Sequence, residues 1–178
     1  MRYVIAMAML MGVLAIPFST LNEAQAANQK ESVMLMELKT GTVKIKLRDD
    51  LAPNHVERIK TLIGEQFYDG IVFHRVIDGF MAQTGDPTGT GMGGSDYPDL
   101  RAEFSSEAFK RGTLGMARSQ HPDSANSQFF ICFDDSTWLN GQYTVFGEVI
   151  EGMEHIDAIA KGEPPADPDK IISLRLAD

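Results

Sequence analysis

The strongest constraint on this chain lies beyond Gly70: one strand-like run after another, with no helical period between them. Runs over 71–77, 80–84, 113–118, 128–133 and 143–150 are apolar or alternating, and Gly-, Pro- and Asp-rich connectors separate them. Two further strands precede them, over 33–38 and 42–47, joined by the turn Lys39-Thr40-Gly41. In the second, Val43, Ile45 and Leu47 face one way and Lys44 and Lys46 the other, the period of a half-buried strand. A last strand occupies 171–176. Only two helices enter the series. Pro53 opens the first, where a missing N–H costs nothing, and Val56, Ile59, Leu62 and Ile63 form its apolar stripe before a stop at Gly64. The second spans Met153–Ala160. Helices that do not alternate with strands argue against a parallel α/β sheet and for a mainly β fold, a closed antiparallel β-barrel.

The N-terminus stands apart from this pattern. Arg2, the apolar run Tyr3–Phe18 and the A-x-A sequence Ala24-Gln25-Ala26 have the layout of a secretory signal peptide cleaved before Ala27. The rival reading is a retained anchor, but the run is shorter than the ~18 apolar residues a spanning helix needs, and Pro17 interrupts its end. The expected organisation is a leader over 1–26, a polar tether over 27–31 and one domain over 32–178, exported to a periplasm or the exterior without stable membrane insertion. The leader carries one basic and one acidic residue, Arg2 and Glu23, so its removal leaves the net charge at −9. That charge, with no Lys or Arg cluster, excludes nucleic acid as a natural partner, since phosphate binding needs a basic footprint. Cys132 has no second cysteine to pair with, so stability must come from packing.

Several motifs dissolve on inspection. Gly89-Thr90-Gly91-Met92-Gly93-Gly94 has the G-x-G-x-x-G spacing, but it runs into the loop sequence Ser95-Asp96-Tyr97-Pro98 instead of a helix, so it is a structural glycine loop. His121, Asp123, Ser124 and Ser127 contain hydrolase-triad residue types, crowded into one connector without a nucleophile elbow. The four histidines lack metal-ligand spacing, His74 is expected to be a packed, hydrogen-bonded side chain, and no metal or cofactor is expected. The acidic segment 163–169 is expected to be a solvated turn.

Residues 73–86, FHRVIDGFMAQTGD, pose a sharper question. Strand alternation puts Arg75 on a face with Phe73 and Ile77, and Phe80, Met81 and Gln83 continue the pattern beyond Asp78-Gly79. By composition alone Arg75 is a rim charge, Phe80, Met81 and Phe130 are core, and Gln83 and Gln128 face solvent. Together, however, 73–94 and 112–159 closely resemble the signature regions of cyclophilins, cyclosporin-binding peptidyl-prolyl cis-trans isomerases, and the likeness runs from about residue 32 to the C-terminus. The resemblance implies eight antiparallel strands closed into a barrel, with a helix capping each open end. It implies a catalytic arginine at Arg75 with Phe80 and Gln83 beside it. It also implies a substrate groove of Met81, Ala117, Gln128, Phe130, Trp138 and Leu139. Arg118 and Tyr143 depart from the best-known pattern, where asparagine and histidine are common; both would line the groove and bear on substrate preference.

Such a site suits a reaction without nucleophile, acid or base. Peptide C–N rotation faces a barrier of ~18–20 kcal/mol, and X–Pro isomers differing by only about 0.5–1 kcal/mol interconvert over tens to hundreds of seconds. A positioned N–H donor can engage the nitrogen lone pair that localises as the amide twists, or hold the carbonyl. A guanidinium supplies such donors in a fixed fork at any working pH. Stabilising the twisted state by about 5 kcal/mol over the ground state speeds rotation roughly 4,000-fold. The expected function is isomerisation of X–Pro bonds in exported polypeptides by a monomer that also binds cyclosporin. The alternatives are a peptide-binding chaperone or scaffold with incidental isomerase activity, and a β-barrel module for small apolar ligands.

Overall fold

The computed structural model describes residues 32–177; the leader and tether expected over 1–31 lie outside the described residues. In chain order the elements are β1 (Val33–Leu38), β2 (Gly41–Leu47), α1 (Pro53–Gly64), β3 (Arg75–Ile77), β4 (Met81–Thr84), β5 (Thr113–Met116), β6 (Phe129–Cys132), a 3-10 turn (Thr137–Leu139), β7 (Val145–Glu151), α2 (Met153–Asp157) and β8 (Ser173–Leu176). All eight strands join one antiparallel sheet in the order β3-β4-β6-β5-β7-β2-β1-β8.

The closed barrel expected from the sequence is corrected here: the sheet is an open half-barrel with β3 and β8 at its edges. The cause is local. β3 is only three residues long, and the edge it would offer β8 is taken by a loop, with Val76 and Gly162 exchanging two backbone hydrogen bonds of 2.8 Å. The segments leading into β3 and β8 pair instead, through the isolated bridge Val72–Lys170 and backbone bonds that include Phe73 N–H to Asp169 O at 2.8 Å and Ile171 N–H to Ile71 O at 2.9 Å.

The concave side holds the main core. Val76, Ala82, Ile131 and Leu114 lie in one register row across β3, β4, β6 and β5, and none is more than 1% exposed. The α1 stripe of Val56, Ile59 and Leu62 is fully buried against this core, as its spacing requires. Tyr68 is also buried and donates its hydroxyl to Ser127 O at 2.9 Å. The second helix ends at Asp157, short of the expected Ala160, and β8 begins two residues later than its apolar run.

Candidate active site

Because side chains alternate across a strand, the convex face of the same four strands displays the neighbouring register row. Arg75 pairs with Gln83, Gln83 with Phe130, and Phe130 with Gly115. A second, smaller apolar cluster sits on this face: Met81, Phe109, Phe130, Cys132, Leu139 and Val145 are buried, with Ile77, Phe80, Ala117 and Tyr143 packed against them. Phe130 is held from two sides, stacked on Phe109 at 5.7 Å and meeting Tyr143 edge-on at 5.8 Å. Trp138 is 59% exposed and lies beside Phe80, ring centroids 5.5 Å apart. Arg118 lies over Tyr143, 4.5 Å from the ring centre, and donates to Gln142 O and Ser119 O.

Gly115 is the residue that makes this packing possible. A Cβ at that position would lie 2.4 Å from Phe130 Cζ and 2.6 Å from Phe109 Cε1, so both rings occupy the space of the missing side chain. Nothing in the run Thr113–Met116 marks its glycine as special. Only the register opposite Phe130 reveals it.

The polar half is a chain of amides. Gln83 Nε2 donates to Gln128 Oε1 at 2.9 Å, and Gln128 Nε2 donates to Gly91 O and Gly93 O at 3.0 and 2.8 Å. The glycine loop over 89–94 is thus structural, as expected: its carbonyls orient Gln128 and it borders a groove of about 560 Å³ shared with Gln83, Ala117 and Arg118. Asp86 organises the loop, accepting from the backbone N–H groups of Thr88, Thr90, Gly91 and Gly93. Burial opposes the charge on Asp86, but the Thr88, Gly93 and Gly91 donors outweigh it and hold the carboxyl down at about 2.

Arg75 has a different partner from the one the sequence offers. Neither glutamine amide bonds it; its Nε donates to Glu163 Oε2 at 2.7 Å. The segment expected as a solvated turn thus reaches the site at Glu163, and its other end is buried at Asp169, which pairs with Lys39 at 2.6 Å. Phe73, placed by alternation on Arg75's face, is fully buried in the main core, because the strand begins only at Arg75; Ile77 does share the outer face.

The other motifs singled out from the sequence form no reactive arrangement. His74 is packed, 6% exposed, and burial lowers its pKa, but neither ring nitrogen has a protein partner. Ser124 donates to His121 O rather than to the imidazole, as turn chemistry requires. Burial pushes the Cys132 thiol up to about 12, which leaves it inert as a nucleophile.

An open eight-stranded antiparallel sheet with two helices, carrying an aromatic patch, an amide chain and Arg75 on its convex face, is the arrangement of a cyclophilin-like protein. The model of the cyclophilin type peptidyl-prolyl cis-trans isomerase family matches residues 33–176. The chain is 52% identical over 178 residues to a probable peptidyl-prolyl cis-trans isomerase of Brucella suis, covering 91% of this chain and 90% of that protein. A Brucella abortus protein of the same description is 51% identical over the same shares. Among solved structures, a Cryptosporidium parvum cyclophilin type peptidyl-prolyl cis-trans isomerase superposes with a TM-score of 0.78 at 30% identity, covering 84% of this chain and 99% of that one. The chain belongs to the cyclophilin-type peptidyl-prolyl cis-trans isomerase family. It is accordingly an enzyme of the isomerase class.

Proposed function

We propose that this protein accelerates X–Pro rotation in exported polypeptides, with Arg75 as the hydrogen-bond donor to the turning amide and no covalent intermediate. The observation that carries this reading is the outer register row. Adjacent strands stand ~4.8 Å apart, so Arg75 and Phe130, two strands away, are separated by about 10 Å of sheet. In this reading a proline ring rests on Phe130, Met81 and Leu139 within that span, and the preceding carbonyl lies beside the Arg75 guanidinium. The aromatic floor also excludes water on one side, which strengthens any bond Arg75 makes. Phe80 and Trp138 wall the ring. Gln83 and Gln128 face the peptide backbone, and Ala117, Arg118 and Tyr143 set the far rim.

In this reading the isomerase works as a monomer after removal of residues 1–26, and cyclosporin competes for the same aromatic floor. A protease-coupled assay on a series of proline tetrapeptides tests it. Arg75→Ala is expected to lose about a thousandfold in kcat/KM, equivalent to ~4 kcal/mol of transition-state stabilisation, while keeping its fold. Undiminished turnover would remove Arg75 from the mechanism, and cyclosporin without effect in the same assay would end the drug-binding part.

A further inference from the structure

Arg75 is a long, 43% exposed side chain whose usefulness depends on where its donors point. A free arginine samples many rotamers, and a donor that must meet a turning amide loses rate in proportion. Among the described residues its hydrogen bond is made by Nε alone, to Glu163. Holding Nε fixes the plane of the guanidinium while leaving both terminal nitrogens unbonded, the reverse of a contact that would mask them.

The loop bearing Glu163 is itself fastened to the strand that carries Arg75. Gly162, next to Glu163, exchanges its backbone bonds with Val76, next to Arg75. Its φ is +147°, and a Cβ there would lie 2.6 Å from Pro165 Cα, so only glycine serves. Further along, Asp169 accepts from Ala160 N–H at 2.8 Å and from Lys39, while its carbonyl takes the Phe73 N–H. Two anchors thus bracket the carboxylate. Exposed ion pairs contribute little to stability, and Glu163 is 51% exposed, so such anchoring makes sense for geometry more than for folding.

We infer that Glu163 is a positioning residue for Arg75: its carboxylate fixes the guanidinium through Nε and leaves the terminal nitrogens free to donate to the substrate amide. The inference rests on Arg75 being the donor proposed above. Steady-state kinetics on a neutral proline tetrapeptide, with melting temperatures, separates the two. Glu163→Ala is expected to lose about tenfold in kcat at unchanged KM and Tm. Glu163→Gln, whose amide oxygen can accept the same bond, restores most of that loss. In an Arg75→Ala background Glu163→Ala costs nothing further, because the two act as a unit. An inactive Arg75→Ala beside a Glu163→Ala of wild-type or higher kcat overturns the inference and leaves Arg75's role intact. So does a loss that tracks a lowered Tm and is not recovered by glutamine. A fully active Arg75→Ala removes both proposals.

Discussion

The two faces of β3, β4, β6 and β5 use the same backbone for opposite ends. The concave row, Val76, Ala82, Ile131 and Leu114, is aliphatic and closed to solvent. The convex row, Arg75, Gln83, Phe130 and Gly115, runs one residue out of step and mixes a cation, an amide, an aromatic ring and a residue without a side chain. The first row could be repacked with other aliphatics at modest cost. The second could not, because each member depends on a specific neighbour: Arg75 on Glu163, Gln83 on Gln128, Phe130 on the space left by Gly115. A strand of period two therefore lets stability and chemistry vary almost independently, provided the register is kept.

The largest effect that would break this division is on the concave side. Ile131→Ala removes a fully buried side chain from the middle of the inner row. It is expected to cost ~3–4 kcal/mol in unfolding free energy, as a cavity in a close-packed core does. Isomerase activity per folded molecule should stay near wild type, measured well below the lowered Tm. A variant that melts normally but turns over slowly would show that the faces are coupled.

Gly115→Ala probes the convex side. Its methyl group would overlap ring atoms of both Phe130 and Phe109, which are stacked on each other, so one or both rings must move. The expected cost is about 2–3 kcal/mol, from overpacking and displaced rings, and it should appear as lost kcat/KM as well as lowered Tm. Full activity at unchanged Tm would mean that Phe130 is not confined in the way the geometry requires.

Much of this division is legible in the chain itself. Period-two alternation is a local signal, so the strands and the α1 stripe emerge from runs of a few residues, whereas the aromatic members of the site are implied only by the family resemblance of 73–94 and 112–159. What escapes is set by distant partners. The open seam arises because Gly162 takes the edge of β3, and no local pattern announces that a loop 86 positions downstream will do so. Glu163 is hidden for the same reason, its bond to Arg75 spanning 88 residues from within a Pro- and Asp-rich stretch that has the composition of solvated turns. Phe73 is misplaced when alternation is extended past the true start of β3, where tertiary packing overrides strand period. Asp86 sits in a run, Asp86-Pro87-Thr88-Gly89, whose turn chemistry is readable, but its hold on the N–H groups of Gly91 and Gly93, whose carbonyls accept from Gln128, is not.

The smallest of the three effects sharpens the contrast by pH. The concave row holds no titratable group, whereas the convex site leans on a loop gathered around Asp86, which is 1% exposed and held at about 2 by its backbone donors. A carboxyl whose folded pKa lies below its unfolded value of about 3.8 adds stability that is complete above that value and is lost as pH falls toward the folded one. The shift corresponds to about 2 kcal/mol. Asp69, Asp157, Asp169 and Glu103 are also held low by their partners, so the wild-type acid transition alone would not isolate Asp86. Comparison with Asp86→Asn does: the stability gap between the two proteins in urea should narrow by about 2 kcal/mol between roughly pH 6 and pH 2. A gap constant across that window would mean that the loop does not depend on the charge. Inner-row variants such as Ile131→Ala, measured the same way, should keep a constant gap, because nothing they remove titrates.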